Sequence, residues 1–295
     1  MARQEMPKAE VEITVDLAHA LLCEQHPDLS RLDISLVANG WDNCMFRLGD
    51  DLALRLPRRA LAAPLIANEQ QWLWRIAGGL PLRIPVPLRV GKPSADFPWA
   101  WSVTPWFEGS SLAAEPPVDQ GHTALQVAGF LKALHTTAPS DAPKNPWRGI
   151  ALGERDATTI AHIDHAADAI DAVAAAQVWG VLRDAMPWDG LPLWLHGDFH
   201  PGNIIATDGE ITAVIDFGDI TAGDPATDLS VAWMLLDTEY RSEFRASYGE
   251  VSDATWSRAK GWALAVGVAC IANSSDNPTI AKVGFDTYRR VMSDV

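Results

Sequence analysis

The sequence predicts an α+β chain of two lobes: a small antiparallel-sheet lobe with a helix over residues 1–105 and a larger, mostly helical lobe over 106–295. Three observations predict it. Short alternating strands crowd the first third, helical periodicity fills the remainder, and one hairpin interrupts the helices. With 295 residues, 48% of them hydrophobic, the chain can bury more than one core.

The elements follow in order. Thr14 caps a helix carrying Leu17, Ala18, Leu21 and Leu22, and His26-Pro27 ends it. Three strands are expected near 33–38, 43–48 and 51–56, with Leu48-Gly49-Asp50-Asp51 as the turn between the last two. A helix over 59–77 stops at Gly78-Gly79. Pro81, Pro85 and Pro87 argue against a central strand in their segment. Strands near 86–91 and 99–105 complete the small sheet. Helices are then expected over 118–136, 156–186, 224–236, 240–248, 255–272 and 276–291. Between them lie strands 204–207 and 212–215, turned by Asp208-Gly209.

Composition excludes some functions. The formal net charge of −15 disfavours nucleic acid and anionic membrane as partners. It suits a cationic small substrate, or simply solubility. No apolar run reaches the roughly 18 residues of a membrane span, and the first residues, MARQEMPKAEVE, lack the apolar block of a signal peptide. Cys23, Cys44 and Cys270 are scattered and odd in number, as expected of a cytoplasmic protein without a cysteine metal framework.

The chemistry concentrates in Trp194-Leu195-His196-Gly197-Asp198-Phe199-His200-Pro201-Gly202-Asn203, followed across the hairpin by Ile215-Asp216-Phe217-Gly218-Asp219. Asp198 stands five residues before Asn203, and Asp216 thirteen after it. That is the spacing of kinase-type phosphoryl transfer, with a base, a magnesium-binding amide and a magnesium-binding carboxylate. A carboxylate both orients an attacking alcohol and takes its proton. Magnesium accepts an amide and a carboxylate oxygen, completed by phosphate and water. His196, Asp198 and His200 alternate, and on a strand they would face one side as zinc ligands do. Pro201-Gly202 breaks that strand, and no further His/Cys cluster completes the set. His196 reads as a structural group bonding the loop backbone. Two readings of His200 stand, one beside the acceptor and one packing the loop.

In Leu52-Ala53-Leu54-Arg55-Leu56, the leucines face one side and Ala53 and Arg55 the other. This is the pattern in which a small residue leaves room for adenine and a cation meets phosphate; a solvated surface arginine is the alternative. Glu69 lies within the apolar stripe Leu65, Ile66, Trp72, Leu73 and Ile76, where an unpaired charge is costly. Arg55 is the expected partner, aimed by Glu69 at the phosphates. Backbone N–H groups of the loop Ala38-Asn39-Gly40-Trp41-Asp42-Asn43 can face phosphate, although the loop lacks G-x-G-x-x-G. Pro105, through its carbonyl, and Phe107, through its N–H, form either a hinge that bonds the adenine edge or a plain linker.

With Gly223-Asp224-Pro225-Ala226-Thr227-Asp228-Leu229, these segments resemble the aminoglycoside phosphotransferase family, the antibiotic-kinase branch of the protein-kinase-like fold, over nearly the whole chain. The resemblance implies a bilobal kinase-like fold. It also implies transfer of the γ-phosphate of ATP, or GTP, with Mg2+, to a hydroxyl of a small molecule. An aminoglycoside-like antibiotic is the leading acceptor; macrolides and metabolites such as choline, homoserine, amino alcohols and sugars are the alternatives. Asp198 would be the catalytic residue, Asn203 and Asp216 the metal ligands, and Arg55, Glu69, Ala53, Pro105 and Phe107 the nucleotide side. By resemblance Asp228 braces the catalytic loop; by its position it equally reads as a helix-start acid. His135, in Leu131-Lys132-Ala133-Leu134-His135, is expected to be structural. Arg55 stands where kinases commonly carry lysine. No Ala-Pro-Glu activation segment is visible, which favours a small acceptor over a protein.

For that acceptor, Asp164, Asp168 and Asp171 are spaced to form one acidic helix face, either for a polyamine or simply solvated. Asp237 and Glu239 are similar candidates. Of the thirteen tryptophans, Trp41, Trp72, Trp74, Trp99, Trp101 and Trp106 fall in the first lobe and are expected mainly in packing, with one or two flanking ligand.

Overall fold

The computed structural model describes residues 8–40 and 42–294. Trp41 and the first seven residues, on which the signal-peptide expectation in part rests, lie outside the described residues.

The first helix, α1 (Val15–Gln25), starts where Thr14 Oγ1 accepts from the Leu17 N–H, and it buries Ala18, Leu21 and Leu22. Strands β1 (Ile34–Asn39), β2 (Asn43–Leu48) and β3 (Leu52–Pro57) run antiparallel, with Gly49 supplying the positive φ of the second turn. Helix α2 (Ala63–Ile76) is shorter than the 59–77 expected. Pro64 falls in its first turn, and the preceding residues form a turn in which Ala62 donates to the Arg59 carbonyl. Gly78-Gly79 does not stop the chain's winding, because Ala77–Gly79 continue as a 3-10 turn. Strands β4 (Arg89–Gly91) and β5 (Trp101–Pro105) are also shorter than expected, and they complete a sheet of order β1-β2-β3-β5-β4. One face of this sheet joins α1 in a core of Leu22, Phe46, Leu54, Leu56, Phe97 and Trp101.

The remaining elements are β6 (Ser110–Ser111), α3 (Gln120–Leu134), α4 (Asp156–His165), α5 (Ala172–Arg183), β7 (Leu193–Leu195), β8 (Ile204–Thr207), β9 (Glu210–Val214), β10 (Thr221–Gly223), α6 (Ala226–Leu229), α7 (Val231–Leu235), α8 (Thr238–Tyr248), α9 (Asp253–Asn273) and α10 (Pro278–Met292). Asp208 and Gly209 both take positive φ, as the β8–β9 hairpin turn requires. The expected helix 156–186 is two helices, because the chain turns after His165 and Asp171 caps α5 by accepting from the Ala174 N–H. Asp164, Asp168 and Asp171 therefore sit on a helix, in a turn and at a cap, and do not form one acidic face. The expected helix 224–236 is likewise split, into α6 and α7. Asp237 is paired with Arg290 at 2.9 Å and bonded to Gln120, so it is not a free acceptor contact.

Helix α9 is the axis of the second core, where Trp179, Trp194, Leu229, Trp262 and Leu264 are buried. Each such side chain stabilises the fold by roughly 1.5–3 kcal/mol. Helices α9 and α10 meet at Gly267 and Gly284, where a Cβ on Gly284 would stand 2.7 Å from the Gly267 carbonyl oxygen. Arg258 of α9 makes a two-point buried ion pair with Asp224, at 2.6 and 3.1 Å, which ties this axis to the turn before α6. Among the described residues, no helix is long and apolar enough to cross a membrane.

Candidate active site

Residues 196–203 form a loop between β7 and β8, and its shape is imposed from behind. Buried Asp228 accepts the His196 N–H at 2.7 Å and the Gly197 N–H at 3.0 Å, and contacts His135 at 3.2 Å. His135 in turn meets the Tyr248 hydroxyl at 2.8 Å. Gly197 has φ of 86°, and a Cβ there would lie 2.2 Å from the Asp219 carbonyl oxygen. The His196 ring spans the loop, with Nε2 donating to the Ile215 carbonyl at 2.9 Å and Nδ1 accepting from the Asp198 N–H at 3.2 Å. Both its nitrogens are spent on backbone, so it is not poised as a metal ligand.

Asp198 comes off this loop, and its Oδ1 accepts from Arg148 at 2.9 Å. Its other oxygen faces His200 Nε2 at 3.4 Å. Burial pushes the Asp198 carboxyl up, but His200 and Arg148 hold it well below the usual carboxylate range. Burial opposes charge on His200, and Asp198 overrides it and raises the imidazole above its ordinary 6.5. A raised histidine contributes stability that is complete below its ordinary pKa and is lost as pH rises through the folded one. We therefore expect thermal stability to fall above about pH 6.5 in a step that His200→Gln lacks. Melting curves from pH 6 to 9 check this, and parallel profiles for the two proteins would refute it.

Asn203 closes the loop's 3-10 turn and donates from Nδ2 to the Asp198 carbonyl at 3.0 Å, leaving its Oδ1 free of partners among the described residues. The Ile215 N–H donates to the Asn203 carbonyl at 2.9 Å, which brings the two ends of the hairpin together. Asp216 follows in the left-handed conformation, φ 62° and ψ 64°. Its Oδ1 accepts from Arg55 at 3.0 Å, and among the described residues its Oδ2 takes no hydrogen bond. The other guanidinium arm of Arg55 reaches both oxygens of fully buried Glu69, at 2.6 and 2.8 Å. Burial disfavours the Arg55 charge, but Glu69 and Asp216 together hold its pKa above the ordinary value.

These groups meet in a cleft of about 490 Å³. Ala53, Arg55, Pro105, Phe107, Asp198 and Asp216 line it, together with Gly40 and Asp42 of the loop after β1 and Asn43 at the start of β2. Glu69, Asn203 and His200 are not among the lining residues; Glu69 bonds Arg55, and Asn203 and His200 contact Asp198. Asn203 Oδ1 and Asp216 Oδ2 are hard oxygen donors with no hydrogen-bond partner among the described residues, the kind of donor that magnesium takes. Between Pro105 and Phe107, the Trp106 N–H is already given to the Asp51 carbonyl at 2.7 Å.

Two site residues escaped the sequence reading. Arg148 lies in a proline-rich stretch with no periodicity and reaches Asp198 across 50 residues. Asp219, quoted only as part of a motif, lines the cleft and accepts from Asn145 at 2.6 Å. Burial and then Asp198 push its carboxyl above the ordinary value.

A family model described as the phosphotransferase enzyme family matches residues 33–262. An aminoglycoside 3'-phosphotransferase from Escherichia coli is 27% identical over 144 residues, which are 47% of this chain and 53% of that protein. The chain thus spans about half the length of this curated relative. Aminoglycoside 2'-phosphotransferase-IIIa, solved as a GDP complex, superposes with a TM-score of 0.69 at 18% identity, covering 95% of this chain and 99% of that one. The streptomycin–ATP–APH(2")-IIa ternary complex superposes with a TM-score of 0.56 at 17% identity, covering 95% and 97%. At these identities the superpositions speak for the fold alone, which the chain shares with these phosphotransferases.

Proposed function

The chain belongs to the phosphotransferase enzyme family, and from that premise we propose that it transfers the γ-phosphoryl group of ATP, or GTP, to a hydroxyl of a small molecule. The observation that carries the proposal is the meeting of Asp198, Arg55 and Asp216 in one cleft. Asp198, ionised by its environment, orients the acceptor hydroxyl and takes its proton. Arg55, braced by Glu69, presents its guanidinium to the phosphates. Ala53 leaves room for the purine, and the Pro105 carbonyl and Phe107 N–H serve its edge. Asn203 and Asp216 would hold Mg2+, which supplies charge neutralisation to the triphosphate when bound. The GDP and ATP complexes of the structural neighbours support a purine nucleotide. We place the boundary between a nucleotide-binding lobe and an acceptor-binding lobe at residues 105 and 106.

The names of the relatives support an aminoglycoside-like antibiotic as acceptor. One observation favours the second reading, a metabolic hydroxyl compound: the three aspartates spaced for a polyamine are dispersed, and cations flank Asp198 instead. Labelled ATP incubated with aminoglycosides, macrolides, choline, homoserine and sugars tests both. Label is expected on at least one acceptor class. Transfer to metabolites alone would reject the antibiotic assignment, and a protein that neither binds nucleotide nor labels any acceptor would reject the activity.

A further inference from the structure

The segment 148–162 holds four buried polar atoms that have no partner among the described residues. They are Arg148 Nε, Arg155 Nε, Thr159 Oγ1 and His162 Nδ1. Arg155 precedes α4, and Thr159 and His162 follow it four and seven residues on, so all three share one face of that helix. Asn273 Nδ2 lies 3.3 Å from His162 Nε2 and donates to it, which places the imidazole proton on the unpartnered Nδ1. Every one of the four groups is then a donor. Orphaned buried donors cost stability unless something supplies lone pairs.

Arg155 is the sharpest member. It is 9% exposed, and among the described residues no carboxylate lies within ion-pair distance of it. Arg55 and Arg58 also leave Nε unpartnered among the described residues, but each of the other buried arginines has at least one acceptor: Arg55 has Glu69, Arg241 has Asp294, Arg258 has Asp224 and Arg58 has the Gly40 carbonyl. Buried cations are normally paired. The guanidinium of Arg155 lies 5.6 Å from the ring centre of Trp147, which is 58% exposed. Burial and then the charge of neighbouring Arg148 lower the pKa of Arg155, and Arg148 is the residue that grips Asp198. Burial, followed by Arg155 and His165, lowers that of His162. Arg148 thus touches the proposed base, and Arg155 lies beside an exposed indole.

We propose that Arg155, Thr159 and His162, with Arg148, form an oxyanion subsite beside Asp198, which holds a carboxylate or equivalent oxyanion next to the hydroxyl to be phosphorylated. The inference rests on the phosphotransferase reading and narrows its acceptor. A ring bearing an acid group fits the subsite, with Trp147 stacking on the ring and Arg155 forking onto the acid. An amine at the same place meets an unneutralised cation.

The test uses the full chain with magnesium and a non-hydrolysable ATP analogue, and titrates glucuronate, glucose and glucosamine by calorimetry. The three share one ring and differ in charge. Glucuronate is expected to bind at least tenfold more tightly than the other two. Arg155→Met is expected to erase that preference and Arg155→Lys to restore part of it, both with a melting temperature near wild type; Thr159→Val weakens glucuronate less. Inorganic sulfate at fixed ionic strength separates the sources. Saturable, Arg155-dependent sulfate binding that competes with glucuronate supports a site for a free anion, and glucuronate binding alone supports an acid on the acceptor. A wild-type protein that binds the nucleotide yet shows no Arg155-dependent binding of either anion overturns the subsite and leaves the phosphotransferase reading standing. Failure to bind nucleotide strikes at that reading instead.

Discussion

Asp198→Asn is expected to lower turnover by roughly 10²–10⁴-fold with nucleotide affinity little changed. The substitution keeps size and shape, so the asparagine oxygen can still accept from Arg148, as Asp198 does at 2.9 Å. It removes the oxygen proposed to take the acceptor proton, and with it the charge that raises the His200 pKa. Arg55, Ala53, Pro105 and Phe107 are untouched, so a fluorescent ATP analogue should bind as before. Single-turnover rates with a labelled acceptor measure the loss. Turnover within threefold of wild type would remove Asp198 from the role of base.

The second large effect concerns stability and nucleotide binding together. Arg55→Met strands Glu69, which is fully buried and has no other cation as an ion-pair partner among the described residues. Breaking a buried pair from one side costs about 3–5 kcal/mol. The denaturation midpoint should fall accordingly, and the ATP analogue should bind weakly. Adding Glu69→Leu removes the stranded charge and should recover most of the stability, with no recovery of nucleotide affinity. A single variant as stable as wild type would show that the pair does not carry the burden its burial implies. Recovered affinity in the double variant would show that Arg55 does not meet phosphate.

Much of this site was legible because its residues obey local periodicities. Alternation along β3 put Ala53 and Arg55 on one face, and the helical stripe of α2 exposed Glu69 as a charge in need of a partner. The Asp208-Gly209 turn announced the hairpin that returns Asp216 to Asn203. What was not legible depends on distant packing. Residues 166–171 contain no glycine or proline, and the break between α4 and α5 comes from the Asp171 cap and from packing against α9. The short strands β7 and β10 depend on distant partners: they pair with each other, and β7 also bridges to Thr137. Arg148 carries no motif, and its contact with Asp198 appears only once β10 has drawn residues 143–149 alongside.

The left-handed backbone at Asp216 constrains how its role can be dissected. Most side chains resist that main-chain conformation, while asparagine tolerates it almost as aspartate does. Alanine at this position alters two variables at once, the formal charge and the path of the polypeptide. Only the amide isostere uncouples them, so it is the informative probe of ligand chemistry there.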